Sequence, residues 1–101
     1  MPADDAAPTT ITLYWRPACG FCSSLRRDLE GSGLPIVEVD IWEQPDGAEV
    51  VRSVAGGNET VPTLVIDAPG RPVVGLVNPS AREVVAAVAE HASDLLPPSG
   101  G

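Results

Sequence analysis

Two cysteines, Cys19 and Cys22, constrain this chain most, because they lie where strand-like sequence changes to helix-like spacing. The β-branched and aromatic run before them, Ile11–Trp15, predicts a strand. Over Gly20–Glu30 the apolar residues recur at helical spacing, and Cys22 lies on their face. A C-x-x-C pair is therefore predicted to open a helix directly after a strand.

The rest of the chain continues this alternation. Three further strands are predicted, at Pro35–Asp40, Thr63–Asp67 and Pro72–Val77. Two further helices are predicted, one at Glu43–Ala55 and one that begins with the capping box Ser80–Glu83 and runs to about Ser93. In the last helix the residues expected to face the core are Val84, Val85, Val88 and Ala92.

The order of these elements, β-α-β-α-β-β-α, limits how they can pair. A strand–helix–strand unit favours a parallel pair with a right-handed crossover. The last two strands are joined by a turn at Ala68–Arg71, so they form an antiparallel hairpin. The sequence therefore predicts an α/β fold, in which a four-stranded mixed sheet is flanked by three helices.

Length and charge narrow the class of protein. A chain of 101 residues forms at most one domain, expected at residues 9–96 with tails at 1–8 and 97–101. The net charge of −8 disfavours binding to nucleic acid or to an anionic membrane. No apolar run is long enough to span a bilayer, and the first ten residues include Asp4 and Asp5 and do not resemble a secretory signal. We therefore expect a cytoplasmic protein, where a structural disulfide would be unusual.

The position of the cysteines suits redox chemistry. At a helix N-terminus, free backbone N–H groups and the positive end of the helix dipole favour the thiolate of Cys19. Arg16, three residues earlier, adds positive charge. Cys22 lies about one turn further along, within reach of the Cys19 sulfur but more covered. We predict that Cys19 attacks a disulfide and Cys22 resolves the product, while Phe21 offers an apolar surface to partners.

A structural zinc site is the alternative use of such a pair. Zinc of this kind usually has four protein ligands. The chain has no other cysteine, and its single histidine, His91, falls in the last predicted helix. We therefore expect no metal at the pair, and His91 is expected to be a solvated helix residue.

The residues around the pair resemble the glutaredoxin branch of the thioredoxin superfamily. The matching segments are Tyr14–Cys22 and Thr60–Thr63, and the similarity extends over Ile11–Ala89. More narrowly, Cys-Gly-Phe-Cys, Gly56–Pro62 and Asn78–Ser80 are similar to the actinobacterial mycoredoxins, which use mycothiol where other organisms use glutathione.

This resemblance implies a thioredoxin fold and a binding site for a low-molecular-weight thiol. Pro62 should follow a cis peptide bond and stand opposite the cysteine pair. The Val61 backbone would then be open to pair with an incoming disulfide. Arg16 occupies the place of a basic residue that contacts the thiol, and Tyr14, Thr60 and Val61 would lie near it.

A departure from the family indicates which thiol is used. Glutaredoxins that bind glutathione carry a Gly-Gly-x-Asp stretch after the last strand, where this chain has Gly75–Ser80 (Gly-Leu-Val-Asn-Pro-Ser). Mycothiol is therefore the expected co-substrate in preference to glutathione, with no tightly bound cofactor. Ala18 stands where thioredoxins and close mycoredoxins carry tryptophan.

The sequence thus predicts a monomeric oxidoreductase that reduces mixed disulfides between proteins and a small thiol. Two alternatives remain open. One is a dithiol electron donor fed by a flavoprotein reductase, as NrdH-redoxins and thioredoxins are. The other is an iron–sulfur carrier, in which two chains share a cluster through Cys19 and a bound small thiol.

Overall fold

The computed structural model describes residues 9–95, so the predicted tails at 1–8 and 97–101, together with residue 96, lie outside the described residues. Its strands are β1 (Thr10–Trp15), β2 (Ile36–Asp40), β3 (Thr63–Asp67) and β4 (Val74–Val77). Its helices are α1 (Gly20–Glu30), α2 (Pro45–Val54) and α3 (Ala81–His91), followed by a 3-10 turn at Ser93–Leu95. None of the helices in this described part is long and apolar enough to cross a membrane.

The strands form one mixed sheet in the order β2-β1-β3-β4. Strand β1 runs parallel to β2, with Ile11 opposite Ile36, and antiparallel to β3, with Tyr14 opposite Thr63. Strand β4 pairs antiparallel to β3 at the edge. The predicted element order and mixed four-stranded sheet are confirmed for the described residues.

Alternate residues of the strands build two cores on opposite faces of the sheet. Helices α1 and α3 cover one face, and the buried residues there are Ile11, Leu13, Leu25, Leu29, Leu64, Ile66, Val84, Val88 and Ala92. Helix α2 covers the other face with a smaller cluster of Ile41, Ala48 and Val51, against which Tyr14 and Val61 pack. Helix α1, and with it the cysteine pair, is thereby held against a fully packed core.

Two helix ends follow the sequence closely. The Ser80 hydroxyl accepts a hydrogen bond from the Glu83 N–H at 3.1 Å, and the Glu83 carboxylate accepts one from the Ser80 N–H at 2.8 Å. This is the predicted capping box. After α2, Gly56 and Gly57 take φ of +67° and +98°, and the Gly57 N–H donates to the Arg52 carbonyl at 2.7 Å. Glycine adopts this left-handed backbone without strain, so α2 ends there.

Several predicted details are wrong at the ends of elements and on one helix face. Val85 is 39% exposed, because Val84 and Val88 already form the inward stripe of α3 and the next position turns outward. Helix α3 ends at His91, since Ala92 has an extended φ of −153°. Helix α2 begins only at Pro45, with Gln44 as N-cap, and β4 begins at Val74 rather than at Pro72. Pro72 has no N–H to give to a strand ladder.

Gly75 provides a test of the contact between β4 and α2. A Cβ at this position would lie 2.5 Å from Val54 Cγ1, so even alanine requires the Val54 side chain, or α2 with it, to shift. We expect Gly75→Ala to lower the free energy of unfolding by about 1–3 kcal/mol, as overpacking does. Urea denaturation measures this change.

Gly31→Ala is the matched control, because nothing lies within 4 Å of a Cβ built at that position. Its stability should change by less than about 0.5 kcal/mol. Equal stabilities of the two variants would contradict the close contact between Gly75 and Val54.

Candidate active site

The cysteine pair lies at the N-terminus of α1. Cys19 is the N-cap residue, with φ −104° and ψ 106°, and its sulfur accepts a hydrogen bond from the Cys22 N–H at 3.3 Å. The Cys19 carbonyl accepts the first helical bond, from the Ser23 N–H at 3.1 Å. The first-turn N–H groups and the positive end of the helix dipole are therefore directed at the Cys19 sulfur, and both favour negative charge there.

The two cysteines differ in access to solvent, and the Cys22 thiol has a raised pKa. The Cys19 residue is 8% exposed and Cys22 only 1%, and both thiols are free. Burial, reinforced by the hydrogen bond with Cys19, raises the pKa of Cys22 to about 12. Cys22 is therefore a neutral thiol near physiological pH, and Cys19 is the sulfur that an outside disulfide can reach.

The segment Thr60–Thr63 lies opposite the pair. The Val61–Pro62 peptide bond is cis, and the Val61 carbonyl is 3.8 Å from the Cys19 sulfur. The fully buried Thr63 hydroxyl donates to the Thr60 carbonyl at 2.7 Å. The Pro62 carbonyl accepts a hydrogen bond from the Asn78 N–H at 2.7 Å. These bonds fix the loop in front of the Cys19 sulfur.

Tyr14 lies beneath this loop. It packs with Val61 against the α2-side cluster. A Cβ on Gly47 would come within 3.4 Å of the Tyr14 ring, which places that ring directly under α2. Burial, with the nearby charge of Asp67, raises the pKa of Tyr14 above its usual 10.0, so the phenol stays neutral. Tyr14 and Val61, which faces the Cys19 sulfur, thus pack against the same buried cluster.

Arg16 is half-buried in the segment that joins β1 to α1. Its guanidinium carbon lies 5.7 Å from the centre of the Trp42 ring, and Nη1 donates to the Pro17 carbonyl at 3.4 Å. A backbone hydrogen bond from Arg16 and its positive charge both lower the pKa of Cys22, against the larger effect of burial. The charge of Arg16 therefore acts on the Cys22 thiol, as a minor effect beside burial.

Trp42 lies near the predicted site residues, although the sequence did not indicate it as one of them. It is 62% exposed and follows the carboxyl end of β2. Its position just after β2 could have indicated this, because β2 runs parallel to β1 and the two strands end on the same side of the sheet as the cysteine segment. Phe21, at 71% exposed, lies on the outer side of the pair.

A cavity of about 290 Å³ opens beside Phe21, between α1 and the start of α3. Ser24 and Asp28 line it from α1, and the segment 78–81 lines it from the other side. Among residues 9–95, no group of three or more His, Cys, Asp or Glu side chains is arranged to hold a metal ion.

The predicted site residues thus fall into two groups. Cys19, Cys22, Arg16 and the Thr60–Pro62 segment come together at one edge of the sheet. Phe21 lies on the outside of the same helix turn, next to the cavity, and Tyr14 supports the loop from below. All of them lie at the end of the sheet where β1 and β2 finish and β3 begins.

Two solved structures with the same fold are thioredoxins. Chloroplastic thioredoxin z superposes with a TM-score of 0.66 at 25% identity, covering 82% of this chain and 77% of that one. The Malassezia sympodialis thioredoxin Mala s 13 gives 0.64 at 22% identity, covering 85% and 79%. With a C-x-x-C pair at the start of α1, the molecule is a thiol–disulfide oxidoreductase with a thioredoxin fold.

Sequence comparison narrows this class. The Glutaredoxin family model matches residues 11–68. "Putative glutaredoxin Rv3198A" of Mycobacterium tuberculosis is 43% identical over 76 residues, which are 75% of this chain and 86% of that protein. Mycoredoxin 1 of Corynebacterium glutamicum is 34% identical over 80 residues, covering 79% and 94%. The chain belongs to the glutaredoxin family.

The burial of Cys22 predicts selective labelling. In the folded, reduced protein at pH 8, we expect iodoacetamide to modify Cys22 at least about a hundredfold more slowly than in the unfolded chain, because so little thiolate is present. Intact-mass spectrometry should therefore find one adduct on the folded protein and two after unfolding in guanidinium. Two adducts formed at similar rates on the folded protein would contradict the assignment.

The same raised pKa predicts a loss of stability in alkali. The pKa of Cys22 lies at about 12 in the folded chain against an ordinary 9.0, so the folded state keeps a proton that the unfolded state loses. This stabilisation is complete below pH 9, falls as pH rises from about 9 to about 12, and amounts to at most about 4 kcal/mol. Tyr14, with its raised pKa, contributes in the same direction.

Urea denaturation of the reduced protein between pH 8 and 11 measures this fall. The chain contains no lysine, so few other groups titrate there. Cys22→Ser should show a clearly shallower decline. Parallel declines in the two proteins would assign the pH dependence to another group.

Proposed function

We propose that this protein reduces mixed disulfides between proteins and a low-molecular-weight thiol, and that the thiol is mycothiol. The observation that carries the proposal is the difference between two cysteines at the start of α1: Cys19 keeps 8% of its surface exposed and has the Val61 carbonyl 3.8 Å from its sulfur, whereas Cys22 is only 1% exposed. Cys19 is the nucleophile in this proposal, and Cys22 is the resolving thiol.

The first step is an exchange of disulfide partners. The Cys19 thiolate attacks the small-thiol sulfur of the mixed disulfide, a Cys19–small-thiol bond forms, and the protein leaves as a thiolate that takes up a proton. A second small thiolate then attacks the sulfur bound to Cys19. This releases a symmetrical small disulfide and restores the Cys19 thiolate, so the cycle needs Cys19 alone.

Cys22 offers a second way to release the adduct. Its thiol loses a proton and attacks the Cys19 sulfur, forming an intramolecular disulfide, while the small thiol leaves with a proton. Two equivalents of small thiol then reduce that disulfide. The raised pKa of Cys22 makes this branch slower than it would be with a thiol of ordinary acidity.

We assign thiol binding to the residues around the Cys19 sulfur. The Val61 backbone pairs with the incoming disulfide, and the Arg16 guanidinium stabilises charge on the exchanging sulfurs. Thr60 and Tyr14 keep the Val61 segment in place. The exposed Phe21, beside the cavity of about 290 Å³, offers apolar contact to the protein partner or to the body of the small thiol.

The start of α3 supports mycothiol over glutathione. Where glutathione-binding glutaredoxins carry Gly-Gly-x-Asp, the polar groups of Ser80 and Glu83 are already bonded to each other in the capping box. Part of their hydrogen-bonding capacity is therefore taken up within the helix start, which disfavours a glutathione site of the usual kind there. The similarity to Mycoredoxin 1 points in the same direction. We also propose that the protein acts as a monomer in the cytoplasm.

The dithiol electron donor is the second candidate. The Cys22 N–H already bonds to the Cys19 sulfur, so the two sulfurs are close enough for an intramolecular disulfide after a small rotation. Such a donor requires both cysteines, whereas mixed-disulfide reduction requires only Cys19. In the iron–sulfur alternative, a cluster-bearing protein would be coloured after anaerobic purification.

A set of cysteine variants tests the proposal. Reduced Cys22→Ser is incubated separately with the symmetrical disulfides of mycothiol, glutathione and coenzyme A, and mass spectrometry locates the adduct. We expect an adduct on Cys19 that forms and is turned over fastest with mycothiol. Cys22→Ser should retain mixed-disulfide reduction, and Cys19→Ser should lose it by at least about a hundredfold.

Other results would reassign the function. Preferred turnover with glutathione would show that mycothiol is not the co-substrate. The proposed reduction of mixed disulfides would still stand. Loss of all turnover in Cys22→Ser would favour the dithiol donor. Full activity of Cys19→Ser would contradict the assignment of the nucleophile.

A further inference from the structure

We propose that Trp42 is a positioning residue for the redox site, whose indole ring holds the Arg16 guanidinium beside the cysteine pair. This inference concerns the established thiol–disulfide chemistry and does not depend on which small thiol is used. It rests on the cation–π contact of the two side chains, on the anchored turn that carries Trp42, and on the lack of a carboxylate partner for Arg16 among residues 9–95.

The turn after β2 fixes the backbone of Trp42. The Trp42 N–H donates to the Asp40 carboxylate at 2.9 Å, and the Gln44 N–H donates to the Asp40 carbonyl at 2.9 Å. Just before it, the Ile41 N–H donates to the Trp15 carbonyl at 2.9 Å, and the Ile41 side chain is only 3% exposed. The turn is therefore anchored both to β1 and to the core.

Trp42 is 62% exposed, so this anchored turn holds a large apolar ring in contact with water. The ring contacts the Arg16 guanidinium, whose carbon lies 5.7 Å from its centroid. This distance is within the range of a cation–π interaction, which is strongest with tryptophan. The exposed ring thus has a partner at the mouth of the active site.

In the part of the chain that the structure describes, Arg16 has no carboxylate partner, unlike two other arginines. Arg26 pairs with Glu38 at 2.9 Å, and Arg52 pairs with Glu59. Within residues 9–95, the contacts of the Arg16 guanidinium are the Trp42 ring and the Pro17 carbonyl at 3.4 Å. Without Trp42, the long side chain would retain one weak neutral contact and sample solvent.

The position of this guanidinium matters because Arg16 joins β1 to the cysteine segment and its charge acts on the Cys22 thiol. Disulfide exchange spreads a negative charge over the attacking, central and leaving sulfurs. A fixed cation stabilises that charge more than a mobile one, because its position is set before the reaction. Arg16 can act in this way only while its side chain stays near the pair.

Alkylation of the reduced, full-length protein measures the local charge directly. The Cys19 thiolate displaces iodide from iodoacetate, which is anionic, or from iodoacetamide, which is neutral. The ratio of the two rate constants reports the positive charge at Cys19, and a general change of structure or nucleophilicity affects both rates alike. Peptide mapping confirms that the label is on Cys19.

We expect Trp42→Ala to lower the iodoacetate-to-iodoacetamide ratio about twofold to fivefold, the effect of losing an exposed cation–π contact. Trp42→Leu, which keeps apolar bulk but has no aromatic ring, should lower the ratio by a similar factor. Trp42→Phe, which keeps an aromatic ring, should lower the ratio less. Val73→Ala is the matched control, since Val73 is 57% exposed and precedes β4 at the opposite end of the sheet. It should leave the ratio unchanged.

Arg16→Gln completes the test as a double-mutant cycle. This substitution should lower the ratio at least as much as Trp42→Ala, and adding Trp42→Ala to it should have no further effect. An unchanged ratio in Trp42→Ala would overturn the proposal, as would a further fall in the double variant. Equal ratios in Trp42→Phe and Trp42→Leu would assign the effect to bulk and would also overturn it.

Discussion

The hydrogen bond from the Cys22 N–H to the Cys19 sulfur is the contact on which the redox site depends. It forms because the chain passes from β1 to α1 within the short segment Arg16–Cys19. Ala18 takes a left-handed φ of +62° there, and this turn makes Cys19 the N-cap of the helix. A β-branched residue would be strained in that conformation. The same turn places one sulfur outside the helix and leaves the other within its buried face.

The sheet order then decides what surrounds the pair. Because β2 is parallel to β1 and β3 is antiparallel to it, the ends of β1 and β2 and the start of β3 meet at one edge. The turn that carries Trp42 therefore lies on one side of the cysteine segment, and the Val61–Pro62 loop lies on the other. Three segments distant in sequence form one site because their strands are neighbours.

Much of this arrangement could be predicted from local sequence. Turn and cap chemistry is local, so the capping box at Ser80 was correctly placed. The helix start at Cys19 follows from the change in hydrophobic spacing. The cis bond before Pro62 came from the family resemblance, because spacing alone does not distinguish it from a proline that starts a strand.

What could not be predicted depends on tertiary packing. Helix α3 has valines at the adjacent positions 84 and 85, so its sequence does not decide which of the two faces the core. The way the helix packs on the sheet decides this, and it leaves Val85 exposed. The contact between Trp42 and Arg16 joins residues that are far apart in sequence and that approach only through the parallel pairing of β1 and β2. The supporting position of Tyr14 likewise required knowledge of where α2 lies.

The burial of Cys22 also determines how this protein meets oxidants. A peroxide entering the site encounters the Cys19 sulfur, whereas Cys22 is shielded by its surroundings and by its bound proton. A sulfenic acid formed on Cys19 would have the Cys22 thiol beside it, and condensation of the two releases water and leaves a reducible disulfide. The fully buried Cys22 would thus limit irreversible over-oxidation of Cys19, the less buried of the two.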